Sequence, residues 1–76
     1  MSEEVLLDVT GHHCPLPALK ARRRLSEMKG GSLLHLIATD PMAAIDIPHF
    51  CHEQGHELVS QWQQDESLHF RIRRKA

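Results

Sequence analysis

Two prolines separated by a single residue, Pro15 and Pro17, decide where the first helix of this chain can start. Neither can donate a backbone N–H and both hold φ near its helical value, a combination accommodated only in the first turn of a helix. Gly11-His12-His13 leads into them, so Cys14 falls at or beside the N-cap, where a strand and a turn hand over to a helix. The N–H groups of Leu16 and Ala18, with the positive end of the helix macrodipole, are expected to favour a thiolate there and to lower its pKa. A thiolate, unlike a thiol, attacks sulfur. The competing reading is a cysteine that packs as a small hydrophobe.

At 76 residues the chain is expected to form one domain, residues 1–76, with a thin core and no room for a large pocket or a cofactor-binding unit. No resident cofactor is expected. The net charge of −1 argues against direct nucleic-acid binding. That balance hides a basic cluster at Lys20, Arg22, Arg23 and Arg24 and another at Arg71, Arg73, Arg74 and Lys75. Two cysteines cannot build a secreted disulfide framework, residues 1–25 hold no signal-peptide core, and no apolar run is long enough to cross a membrane. A reducing cytoplasm is the expected location.

Along residues 4–9, Val5, Leu7 and Val9 alternate with Glu4, Leu6 and Asp8, the period of a half-buried strand. Residues 15–28 place Ala18, Ala21, Leu25 and Met28 at helical spacing, and Gly30-Gly31 is expected to end that helix. Residues 32–38 form an apolar run suited to the interior of a sheet. Thr39-Asp40-Pro41 then reads as an N-cap followed by proline at the first helical position. Pro48 interrupts that second helix, and Asp46 could cap a restarted segment, so a kinked or two-piece helix ending at Gly55 is predicted. Residues 58–63 and 68–73 read as strands joined around 64–67, a hairpin. The order βαβαββ implies an α+β two-layer sandwich, with both helices on one face of a mixed four-stranded sheet and right-handed crossovers joining parallel strands.

The pattern Asp8-x-x-Gly11-x-x-Cys14-Pro15-x-Pro17 resembles the TusA, or SirA-like, family of sulfur carriers, marked by a CPxP motif at the first helix. Asp40-Pro41, Asp46-Ile47-Pro48, Phe50-Cys51 and Gly55-His56-Glu57-Leu58 extend the resemblance over essentially the whole chain. It implies a βαβαββ fold similar to the C-terminal domain of translation initiation factor 3. It further implies a carrier that takes sulfane sulfur from a cysteine desulfurase as a persulfide on Cys14 and passes it to an acceptor protein. Gly11, Pro15 and Pro17 would frame that site. Within the family such relays serve 2-thiolation of the tRNA wobble uridine, molybdenum-cofactor maturation or sulfur oxidation, and the second half of this chain most resembles the tRNA branch. His12-His13 depart from the family's usual apolar residue followed by a polar or basic one.

Other residues allow more than one reading. Cys51, beside Phe50 in an apolar helical context, is read as a core residue, the alternative being a resolving thiol that would make the chain a redox protein. Seven histidines raise a zinc or copper site on His49, His52 and His56. The absence of CxxC, HExxH and finger spacing favours scattered surface histidines, so no metal is expected. His13 could favour the Cys14 thiolate as an imidazolium. Lys20 and Arg22 to Arg24 read as a solvated helix face or as a dock for an acidic patch on a desulfurase or acceptor. Trp62 reads as structural rather than as a base-stacking platform. A free monomer suits a carrier that presents one thiol to successive partners.

Overall fold

The structure is a computed structural model that describes residues 4–76. Its elements run β1 (Glu4–Asp8), α1 (Leu16–Ser26), β2 (Leu33–Ala38), α2 (Ala43–Gln54), β3 (Glu57–Gln64) and β4 (Ser67–Arg73), the order expected from the sequence pattern. The strands form one mixed sheet of order β1-β2-β4-β3. β1 pairs with β2 in parallel, from Glu4 opposite Leu33 to Asp8 opposite Ile37, and β4 is antiparallel to both β2 and β3. The apolar run of β2 is interior, as its composition requires. The second β–helix–β passage also joins strands that run in the same direction, β2 and β3, with β4 lying between them.

One core holds the two layers together. Leu34, Leu36 and Ala38 of β2 and Phe70 and Ile72 of β4 point to the helices, because alternate residues of a strand share a face. From α1 come Pro17, Ala21 and Leu25, and from α2 Ala43, Ile47, Phe50 and Cys51, each set at helical spacing. Cys51 is only 2% exposed, and burial pushes its pKa up to about 11. It is a core residue, as the apolar context indicated.

The end of α1 and the course of α2 depart from the sequence reading, while α2 ends at Gly55 as expected. α1 stops at Ser26 rather than at Gly30-Gly31, because the N–H groups of Glu27 and Met28 bond the carbonyls of Arg24 and Leu25 in a tightened last turn. The Arg74 guanidinium donates to the same Leu25 carbonyl at 2.6 Å, so one residue of the C-terminal basic cluster caps α1. Gly31, with φ +85°, donates to the Arg74 carbonyl. α2 is continuous through Pro48 rather than broken. The missing N–H would have bonded the carbonyl of exposed Ala44, while Ile47, Phe50 and Cys51 on the opposite side keep their places in the core. Asp46 therefore caps no restarted segment. Gly55, left-handed at φ +78°, ends α2, and His56 N–H bonds the Cys51 carbonyl beyond it.

On the sheet face away from the helices, a bulge between Leu58 and Ser60 shifts the register of β3. A strand without it would turn Trp62 to the same side as Leu58 and the core. The bulge instead sets Trp62 opposite His69, and their rings stack at 4.9 Å and 10°. His69 Nδ1 lies 2.9 Å from His35 Nε2, and Glu4 lies 3.8 Å from His35 and 3.4 Å from Arg71. Trp62 is thus engaged in cross-strand packing, in line with the structural reading of the sequence.

Burial, with like charge from His69 and Arg71, depresses the His35 pKa against the opposing pull of Glu4. Burial, with Lys75 and Arg74 nearby, depresses that of His56. A histidine with a depressed folded-state pKa binds fewer protons folded than unfolded, so its contribution is intact above the unfolded value near 6.5 and is lost as pH falls below it. The urea midpoint is expected to decline between pH 7.5 and pH 5, and His35→Gln to flatten that decline; a profile unaltered by the substitution would remove His35 as its source.

Candidate functional site

Parallel pairing of β1 and β2 brings their C-terminal ends to one end of the sheet, and the helix that follows each strand starts there. After β1, Val9 is fully buried and donates its N–H to the Ile37 carbonyl at 2.8 Å. The chain then turns, with Thr10 N–H on the Asp8 carboxylate and His12 N–H on the Val9 carbonyl. Gly11 takes φ +82°, which an L side chain rarely adopts, and donates to the Thr39 hydroxyl at 2.9 Å. This bond ties the turn after β1 to the segment after β2.

Cys14 follows, exposed and free, and its peptide bond to Pro15 is cis. Pro15 is the N-cap of α1, Leu16 its first residue, and buried Pro17 seats the first turn in the core. Cys14 thus precedes the cap. Its N–H donates to Asp40 Oδ2 at 2.6 Å, and Asp40 Oδ1 accepts from Met42 N–H at 3.1 Å. Asp40 thereby holds the turn that leads into α2, whose N-cap is Met42 and first residue Ala43, so the helix starts two residues later than Thr39-Asp40-Pro41 suggested. The Cys14 sulfur lies 2.7 Å from Asp46 Oδ2, one turn into α2.

This geometry overturns the expected lowering of the thiol pKa. The Cys14 pKa is raised, first by the hydrogen bond to Asp46, then by desolvation, then by the negative charges of Asp46 and Asp40. The Leu16 N–H that was expected to favour the thiolate is taken by the His13 carbonyl at 2.8 Å. Two full carboxylate charges near the sulfur outweigh the fractional charge of a helix end that begins beyond it. The Asp40 pKa is lowered by the N–H bonds of Cys14 and Met42 and further by the charge of His13. His12 bears on Asp8 instead, whose pKa is lowered chiefly by its Thr10 bonds.

Asp40 and Asp46 are the site residues that sequence reasoning missed. The sequence pattern marks both as helix caps, and a hydrogen bond between residues 32 apart leaves no local signal. Around the thiol, the first turns of α1 and α2 expose Leu16, Leu19, Met42 and Ile45. Lys20, Arg22, Arg23 and Arg24 are exposed along α1, Arg24 near Glu27 at 3.5 Å. The α2 histidines do not converge. His49 pairs with Glu53 at 3.5 Å, while His56, beyond the helix, accepts the Lys75 N–H at 3.1 Å. Among the described residues no group of three or more His, Cys, Asp or Glu is placed to hold a metal ion. No helix among them is long and apolar enough to cross a membrane.

The family profile described as Sulfurtransferase TusA matches residues 5–74. A sulfur carrier protein TusA from Pseudomonas aeruginosa (strain LESB58) is 41% identical over 75 residues, covering 99% of this chain and 95% of its own length. One from Pseudomonas putida (strain GB-1) is 40% identical over 73 residues, covering 96% and 91%. The crystal structure of a SirA-like protein from Desulfitobacterium hafniense superposes with a TM-score of 0.83 over 95% of this chain and 99% of that one, at 16% identity, and so shares the fold.

The raised thiol pKa sets the pH dependence of Cys14. Its iodoacetamide rate is expected to rise at a higher pH than that of free cysteine, with Cys51 unmodified until the protein unfolds. An inflection below that of free cysteine would mean that the Asp46 contact is absent in solution.

Proposed function

The chain belongs to the TusA family of sulfurtransferases, and from that premise we propose that it accepts sulfane sulfur from a cysteine desulfurase as a persulfide on Cys14 and hands it to an acceptor protein for 2-thiolation of the tRNA wobble uridine. The observation that carries this reading is the contrast between its two cysteines. Cys14 is exposed at the meeting of two helix starts, whereas Cys51 is buried in the core. A single accessible sulfur suits transfer between proteins better than an internal disulfide cycle. The tRNA branch is preferred over molybdenum-cofactor supply or sulfur oxidation on the resemblance of the second half of the chain, and the carrier acts as a cytoplasmic monomer in this reading.

In loading, the Cys14 sulfur attacks the outer sulfur of the donor persulfide, the donor S–S bond breaks, and the thiol proton ends on the departing donor sulfur. The acceptor thiol repeats the exchange on the loaded carrier. No electron acceptor or metal is needed. Gly11 sets the turn before Cys14, and Pro15 and Pro17 fix the helix start behind it. The exposed Lys20, Arg22, Arg23 and Arg24 serve as the dock for an acidic partner surface, speeding encounter more than adding affinity.

Incubation with a cysteine desulfurase, cysteine and pyridoxal phosphate is expected to add one sulfur atom to the intact mass. Cys14→Ser abolishes that gain and Cys51→Ser retains it; sulfur accepted by Cys14→Ser would refute the assignment. A reversible loss of two hydrogens that needs both cysteines would instead identify a redox protein.

Replacing Arg22, Arg23 and Arg24 together by Glu is expected to slow loading about tenfold at low ionic strength, with much of the difference gone at high salt. Loading unchanged at low salt would place the dock elsewhere.

A further inference from the structure

The Cys14 sulfur sits 2.7 Å from Asp46 Oδ2. A contact that short between sulfur and a carboxylate oxygen needs a proton between them, and the thiol S–H supplies it. Resting on the persulfide reading above, a consequence follows from the valence of sulfur. Once Sγ is bonded to a second sulfur it carries no hydrogen. The only exchangeable proton of the loaded side chain is on the outer sulfur, and a persulfide is more acidic than the corresponding thiol. The loaded group then presents lone pairs and negative charge to Asp46, with Asp40 close behind. A hydrogen bond becomes a repulsion.

We propose that Asp46 is a positioning residue that tells the empty carrier from the loaded one, latching the Cys14 thiol and releasing the persulfide so that its outer sulfur turns away from α2. Exposed Cys14 leaves the side chain free to turn, and Leu16, Leu19, Met42 and Ile45 form an exposed apolar surround against which an approaching protein excludes water. Two effects follow for the relay. The empty thiol is held protonated and is shielded from unproductive chemistry. Discharge restores the hydrogen bond, which biases hand-off forward.

The test uses sodium tetrasulfide as donor, so that it does not depend on any desulfurase. The Cys14 thiolate takes one sulfur from tetrasulfide and releases trisulfide, with charge and sulfur conserved. Iodoacetamide then labels empty and loaded carriers as products of different mass in one sample at pH 7. Asp46→Asn, close in shape but uncharged, is expected to raise the labelling rate of the empty carrier severalfold and to move its pH profile to lower pH. The loaded carrier should stay within about twofold of the unsubstituted protein, the scatter expected of an uncoupled site. Asp46→Glu, which keeps the charge, should restore part of the slow labelling.

Equal acceleration of both forms, or of neither, would overturn the latch. In the unsubstituted protein, loading should also shift the carbon-13 resonance of the Asp46 carboxyl group; an unmoved resonance would overturn it independently of any variant. A Cys14 that takes no sulfur from tetrasulfide would end the proposal as well. If tetrasulfide loading shows the split but a desulfurase does not load the protein, the donor assignment falls and the latch stands.

Discussion

Parallel pairing of β1 with β2 is the constraint on which the site depends. Because Glu4 to Asp8 run alongside Leu33 to Ile37 in the same direction, both strands deliver the chain to the same end of the sheet. Both helices therefore begin there, one preceded by Cys14 and the other by Asp40. Gly11 on the Thr39 hydroxyl and Cys14 N–H on Asp40 stitch these two junctions together. An antiparallel β1 would leave the thiol and the aspartates at opposite ends. The core maintains this arrangement, since Leu34, Leu36 and Ala38 in the sheet pack under Ala21, Leu25, Ala43 and Ile47 in the helices.

Electrostatics at the thiol is a contest between two helix starts. α1 offers Cys14 the weak positive end of its own dipole, but its first N–H is already taken by the His13 carbonyl. α2 contributes a carboxylate in direct hydrogen bond, and Asp40 adds a second negative charge. The nearer and larger charges prevail. Exposure and protonation at Cys14 are thus compatible: the sulfur is open to a partner while its proton is held by Asp46.

Basic and histidine-rich segments that looked free in the sequence are partly absorbed by the fold. Arg74 caps α1 through the Leu25 carbonyl, and His56 accepts the Lys75 N–H with its ring 5.8 Å from that of Phe50. His35 and His69 join Trp62, Glu4 and Arg71 on the sheet face away from the helices. Lys20, Arg22, Arg23 and Arg24 stay exposed on α1. The exposed basic surface on the helix that follows the thiol is therefore supplied by these four residues.

Period and punctuation were enough to read the element order, the interior place of β2, the start of α1 near Pro15 and Pro17, and Cys51 as a core residue. Those features depend on neighbours within a turn or a strand, where sequence spacing is spatial spacing. The CPxP resemblance pointed to Cys14 for the same reason, since its motif is contiguous. Tertiary structure alone placed β4 between β2 and β3, carried α2 through Pro48, turned Trp62 outward by a bulge and reversed the direction of the Cys14 pKa shift. Each of these turns on contacts between distant segments, above all the one between Cys14 and Asp46, and no local propensity encodes the sign of a charge brought from 32 residues away.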